Sequence, residues 1–317
     1  MTIFDPDSLP RSAPKPPQSL RSGFTRRAAL AGLVTLPFTS GCSLPSSASP
    51  SAHRQLAELE FESQGRLGIA AWTASSLPRR SVRYRPNERF PFCSTFKFLA
   101  AAAILKRTEQ DPTELDRHIR YSKQDLVSYS PITEKQAGRS MSLAQLCAAA
   151  LQYSDNTAGN LLIKELGGTQ AMTAFARSIG DSTFRLDRWE TELNTAIPGD
   201  VRDITSPAAM AHDLQRLLLG HGLSPQQRNQ LSTWMRGNTT GAARIRAAVP
   251  SDWEVADKTG SGDYGTTNDI GILFPPNQSP IILAIYFTQK TSQAPMRNDI
   301  IAAATKIVLE TLTDNRS

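Results

Sequence analysis

The feature that most limits what this chain can fold into is where its strand-like segments fall. Leu67 to Thr73 and Ser81 to Arg85 read as strands around the turn-prone Ser75-Ser76-Leu77-Pro78. The signal returns only after Asp252, in Asn268 to Phe274 and Ile281 to Thr288. From about Ser94 to Arg236 the periodicity is helical, with alanine-rich runs at Phe98–Lys106 and Leu143–Gln152. Strands from both ends must therefore meet across a helical middle. The expected architecture is α/β of the α+β type: an antiparallel sheet with flanking helices formed by both termini, plus an inserted all-α subdomain. One domain is expected over residues 53–317, its α/β part near 53–90 and 237–317 and its α part near 91–236. Arg54 to Gln64 reads as a helix with Leu56 and Leu59 on one face and Gly65 to end it. Arg297 to Leu312 reads as another, with Ile301, Ala304, Val308 and Leu312 aligned. A cleft between the two parts is a natural site.

The net charge of +6 invites a nucleic-acid reading, but half of it sits ahead of Cys42, and no basic block with interleaved aromatics follows. Nucleic-acid binding is not expected. Residues 1–42 read instead as an export signal. Thr25-Arg26-Arg27 precedes a mildly apolar run from Ala28 to Phe38 that is short for a membrane span, which suggests the twin-arginine route. Thr39-Ser40-Gly41-Cys42 is similar to a lipoprotein cleavage box, with Thr39 where leucine is usual. Both a lipid anchor at Cys42 and ordinary cleavage remain open. Residues 43–52, rich in Ser, Pro and Ala, read as a tether. Cys93 and Cys147 are expected as buried thiols. The four histidines fall in no catalytic or metal-ligand spacing, so neither a metal nor a cofactor is expected.

Four short motifs carry the chemistry: Ser94-Thr95-Phe96-Lys97, Ser154-Asp155-Asn156, Lys258-Thr259-Gly260 and Glu190-Thr191-Glu192-Leu193-Asn194. A serine hydroxyl is a poor nucleophile until a base takes its proton, and Lys97, one helical turn from Ser94, can do so if its pKa is lowered. Ser154 and Asn156, two apart across a turn that Asp155 holds, can face one cleft and offer a proton relay and an amide. Alternation on a strand puts Lys258 and Gly260 on one face and Thr259 and Ser261 on the other, and Gly260 and Gly262 permit close backbone approach. Glu190 and Asn194 lie in the long loop Arg188–Asp203, whose end residues can pair and close it. Between them Glu190 and Asn194 can hold a water.

With these motifs in this order, the chain from His53 onward resembles the class A serine β-lactamases. The resemblance implies a β-lactamase/transpeptidase-like fold, a monomer, and hydrolysis of penicillins and cephalosporins through an acyl-serine. It makes Ser94 the acylated serine, Lys97 its proton-handling neighbour, Ser154 the donor to the lactam nitrogen, and Glu190 with Asn194 the activator of the hydrolytic water. Asn156 and Tyr129 would contact the substrate. Lys258, Thr259 and Ser261 would meet its carboxylate, and the backbone N–H groups of Ser94 and Ser261 would form the oxyanion hole. Whether Lys97 or Glu190 takes the first proton stays open. The cleft arginine that relatives need would be Arg244, with Arg297 a second candidate. Ala101 and Gly262 stand where disulfide partners occur in relatives, so no disulfide is expected, and Ser261 hints at cephalosporin substrates. Two other readings share the serine–lysine chemistry: a D,D-peptidase, whose acyl-enzyme persists, and a β-lactam sensor that acylates once. The Glu190–Asn194 loop distinguishes the lactamase from the peptidase; the sensor normally belongs to a membrane-spanning receptor, and the sequence shows neither a spanning segment nor a signalling domain.

Overall fold

The computed structural model describes residues 50–74 and 80–313. The segment read as an export signal, Cys42, most of the expected tether and the expected Ser75–Pro78 turn lie outside the described residues. The chain begins with α1 (Pro50–Ser63), β1 (Arg66–Thr73), β2 (Ser81–Tyr84) and the two-residue β3 (Phe90–Pro91). The helical part follows: α2 (Phe96–Thr108), the short strands β4 (His118–Arg120) and β5 (Ser140–Ser142), α3 (Leu143–Gln152), α4 (Asn156–Leu166) and α5 (Thr169–Ser178). After a long loop come β6 (Ile204–Thr205), α6 (Pro207–Leu218), α7 (Pro225–Arg236) and the one-turn α8 (Ile245–Ala248). The chain closes with β7 (Glu254–Gly262), β8 (Thr266–Phe274), β9 (Ile281–Thr288) and α9 (Asn298–Thr313).

Five strands form one antiparallel sheet in the order β2-β1-β9-β8-β7. The two ends of the chain meet in it, with Arg66 opposite Thr288 and Thr73 opposite Ile281. Alternation sorts each strand into two cores. Ala70, Trp72, Ile282, Ala284 and Tyr286 face the helical part, whereas Leu67, Ile69, Leu283, Ile285 and Phe287 face α1 and α9. Every residue of β9 is buried, which explains its unbroken apolar run in place of alternation. Each large aliphatic side chain so buried contributes about 1.5–3 kcal/mol. On the outer face Leu56 of α1 and Ile301, Ala304, Val308 and Leu312 of α9 are buried together, as their spacing predicts.

The structure departs from the sequence reading in three places. Helix α1 starts at Pro50, inside the expected tether, because proline in a first helical turn forfeits no helical hydrogen bond. The helical part contains two small ladders, β3 with β6 and β4 with β5, too short to leave a periodicity. The Glu190 loop holds one 3-10 turn, Glu192–Thr195.

A buried acid pair ties α6 to the turn after α5. Asp181 accepts the Thr183 and Phe184 amides at 2.6 and 3.0 Å. Its other oxygen, and one oxygen of Asp213, are buried without a donor. Two carboxyls in contact inside a core resist ionising together. Burial, and then the charge of Asp181, hold the Asp213 carboxyl well above its ordinary range, and the opposing pull of Arg216 and Arg177 does not reverse this. A proton on Asp213 supplies the missing donor. Because the folded pKa exceeds the unfolded one, this proton stabilises the fold in acid, and the benefit is lost as pH rises from about 4 toward the folded value. The slope is at most about 1.4 kcal/mol per pH unit. Asp213→Asn replaces that proton with a permanent N–H, so its thermal-melting profile should be flatter on the alkaline side than the wild type's. Parallel profiles would exclude the shared proton.

Candidate active site

The nucleophile motif sits where strand gives way to helix. Cys93–Thr95 form a 3-10 turn that runs into α2, with Cys93 at a φ of 47°. Asn268, on β8, anchors this turn by donating to the Pro91 and Phe92 carbonyls at 2.9 and 3.2 Å. Strand β7 approaches so closely that a Cβ on Gly260 would stand 2.7 Å from the Phe92 carbonyl oxygen. Glycine is required there for contact, not for a turn.

Lys97 has no solvent exposure. Its Nζ faces four oxygen groups: Ser94 Oγ at 2.8 Å, the Ser154 carbonyl at 2.9 Å, Asn156 Oδ1 at 2.6 Å and Glu190 Oε1 at 2.9 Å. An ammonium has three protons, so four acceptors oversubscribe it. Desolvation pushes the Lys97 pKa down, and Glu190 pulls back in the other direction. Ser94 Oγ also reaches Glu190 Oε1, donating at 3.1 Å.

Ser154 occupies the junction between α3 and α4, with a φ of 58°. Asp155 caps α4 through the Ala158 amide at 2.8 Å and gathers the Ile132 and Thr133 amides, both at 2.9 Å. That is the turn-holding role expected of it. Asn156 donates to the Ser128 carbonyl at 2.9 Å, next to Tyr129, which stands 59% exposed at the cleft rim. From the free edge of the sheet Lys258 reaches Ser154 Oγ at 3.0 Å. Its pKa lies well below the ordinary lysine value, through burial first and then repulsion from Lys97 and Arg244.

Arg188 and Asp203 close the loop with a 2.6 Å ion pair, and the Asp203 carboxylate also accepts the Asp187 and Arg188 amides. Inside it, Asn194 Nδ2 donates to Glu190 Oε2 at 2.5 Å. The Asn194 carbonyl accepts the Asp263 amide at 2.9 Å, and a Cβ on Gly262 would stand 2.5 Å from that same carbonyl. Asn160, which the motif reading missed, brackets Glu190: its Nδ2 donates to the Glu190 carbonyl at 2.8 Å and its Oδ1 accepts the Glu190 amide at 2.9 Å. Its position four residues beyond Asn156 on α4 was the available signal.

Arg244 is buried beside the third motif. It donates to the Gly260 and Asn268 carbonyls at 2.9 and 2.7 Å, to Ser261 Oγ at 2.6 Å and to Asn298 Oδ1 at 2.8 Å. Arg297 lies outside this cleft and pairs with Asp299 at 2.7 Å. Cys93 and Cys147 are free and buried, and burial raises both thiol pKa values. Among the described residues no three His, Cys, Asp or Glu side chains are grouped to hold a metal. Ser94, Tyr129, Ser154, Asn156, Asn194, Arg244, Thr259 and Ser261 share one cavity of about 570 Å³, with Lys97, Glu190 and Lys258 buried behind it.

Comparison with known proteins shows the family of the chain. The family described as the beta-lactamase enzyme family matches residues 51–312. Beta-lactamase Toho-1 of Escherichia coli is 53% identical over 283 residues, 89% of this chain and 97% of that protein. Beta-lactamase OXY-2 of Klebsiella oxytoca is 50% identical over 293 residues, 92% of this chain and all of that protein. The crystal structure of a beta-lactamase from Burkholderia phymatum superposes with a TM-score of 0.81 at 50% identity, covering 83% of this chain and 98% of that one. The chain belongs to the β-lactamase enzyme family.

Proposed function

We propose that this β-lactamase works as a class A serine enzyme, hydrolysing the β-lactam amide of penicillins and cephalosporins and so conferring resistance to them. The observation that carries the reading is the shared position of Ser94 Oγ. It hydrogen-bonds both Lys97 and Glu190, while the second Glu190 oxygen is held by Asn194. One base serves the attack and a carboxylate–amide pair serves the water.

In acylation Ser94 Oγ attacks the lactam carbonyl as its proton passes to a base, and both Lys97 and Glu190 are within hydrogen-bond reach of that oxygen. The C–N bond breaks, the ring nitrogen takes a proton from Ser154, and the proton held by the base returns to Ser154, which Lys258 and the Lys97 network adjoin. In deacylation Glu190 removes a proton from a water oriented with Asn194, the water oxygen adds to the ester carbonyl, and the bond to Ser94 Oγ breaks as the proton held by Glu190 passes to that oxygen. The oxyanion hole is assigned to the Ser94 and Ser261 amides. Lys258 Nζ takes the Thr259 carbonyl at 2.7 Å on its way to Ser154, so that carbonyl turns to the free edge of β7. Backbone direction alternates along an antiparallel strand, which turns the Ser261 N–H to the same edge. The substrate carboxylate belongs with Thr259, Ser261 and Arg244, and the acylamide side chain with Asn156 and Tyr129. Arg244 supplies a cation on the cleft wall for an anionic substrate. We further assign residues 1–42 to export into the periplasm or cell envelope, with Cys42 a lipidation candidate, and residues 53–317 to one monomeric catalytic domain.

Ser94→Ala should leave no covalent adduct when the protein is mixed with benzylpenicillin and weighed by intact mass spectrometry; an adduct on another residue would overturn the assignment. Glu190→Ala should acylate and then stall, with ester hydrolysis slowed about 10²–10⁴-fold, the range for loss of a general base. Unchanged turnover removes Glu190 from deacylation, and a long-lived adduct on the wild type would favour the peptidase or sensor. Arg244→Ala should raise KM for penicillins about tenfold or more while changing kcat less, as loss of a charged hydrogen bond to a carboxylate predicts.

A further inference from the structure

The Glu190 loop has a second face. Asn194 lines the catalytic cavity, but Ala196 to Val201 line a different one of about 450 Å³ that shares no residue with it. This volume falls within the ~300–1,000 Å³ typical of small-molecule sites. Its walls come from three places: the outer loop, the β3–β6 ladder through Pro91 and Ile204, and the strand ends at Arg66 and Lys290. Ile197 and Val201 are 45% and 62% exposed, an apolar surface left uncovered at the loop's outer turn.

The charges around this wall are unbalanced. Asp200, the acid lining the cavity, is already held by Arg202 at 2.8 Å and approached by Arg188 at 3.6 Å, and the Arg202 hydrogen bonds draw its pKa down to about 2. Arg66 lies over the Phe90 ring and pairs with Glu88 at 3.2 Å. Arg89 donates only to the Thr183 carbonyl, and neither it nor Lys290 has a carboxylate partner among the described residues. An apolar pocket with two uncommitted cations at its rim is complementary to one kind of small molecule. The body must be apolar and the single charge negative.

We propose that this cavity binds small amphipathic anions, an aromatic or aliphatic body carrying one carboxylate, and that occupancy acts on the Glu190 loop. The body lies against Ile197, Val201 and Ile204, and the carboxylate meets Arg89 and Lys290. Coupling follows from continuity: the same segment that lines the cavity is closed by the Arg188–Asp203 and Arg188–Asp200 pairs and carries Asn194 at its inner end.

The probe is 2-naphthoate, followed by NMR shift mapping and by crystal soaking of the full folded domain. Binding itself needs no turnover, so failure here is separable from failure of the catalytic reading. Shifts are expected at Ile197 to Ile204 and Lys290, with Kd of about 1 mM or tighter. Affinity should fall about tenfold or more in the surface variant Arg89→Glu/Lys290→Glu, and likewise for the neutral naphthalene-2-carboxamide. At saturation kcat for benzylpenicillin should change in the wild type and not in the double variant. No binding, binding confined to the Ser94 cleft, or equal affinity in the double variant would overturn the site. Binding with kcat unchanged would overturn the coupling.

Discussion

A lysine amine sealed from water must find its acceptors in the protein, and Lys97 draws three separate segments together to supply them. The turn after β3 contributes Ser94, the α3–α4 junction contributes Ser154 and Asn156, and the long loop contributes Glu190. Leaving such a charge unpaired costs several kcal/mol, so any segment that strays exposes the others to that penalty. The same burial makes the amine less basic. Stability and basicity therefore meet in one group: the environment that demands partners for Lys97 also lowers its hold on its proton.

The supporting geometry is built from close contact between backbones. Strand β7 is the free edge of the sheet, and glycines at 260 and 262 let it lie against the Phe92 and Asn194 carbonyls. Left-handed backbone at Cys93, Tyr129 and Ser154 aims the residues around the cleft in ways a regular helix or strand cannot. Arg244 then crosses the end of the sheet and fastens β7 to β8 through the carbonyls of Gly260 and Asn268. The cation that lines the cleft is thereby also part of the wall it stands in.

Much of this was legible in the residues. The β9 run is apolar throughout because both of its faces are covered, and the 3.6-residue spacing of Ile301, Ala304 and Val308 follows from one buried stripe. The motif residues converge as the resemblance implied, and Arg244 rather than Arg297 lines the cleft. What escaped was the support. Asn160 and Asn268 are single amides with no motif around them, and their value lies in the backbone groups they reach, which only the tertiary arrangement specifies. The β3–β6 and β4–β5 ladders were hidden for a related reason: two or three residues cannot display a period. The start of α1 was misread because proline and serine suit both a tether and a first helical turn.

The pairing of β1 with β9 has a consequence for how the protein is made. Arg66 finds its partner in Thr288, so the central ladder joins segments near opposite ends of the polypeptide. While the chain emerges from the ribosome, β1 and β2 have only each other, and a two-stranded hairpin is marginal in water. Its open edge stays uncovered until β9 is synthesised, and contacts this distant in sequence form slowly. A chain interrupted before Ile281 keeps that edge and the apolar faces beneath it exposed, a state prone to pair with other chains. Folding is thus a post-synthetic event for this sheet, and the last strand made decides whether the first ever becomes part of a protein.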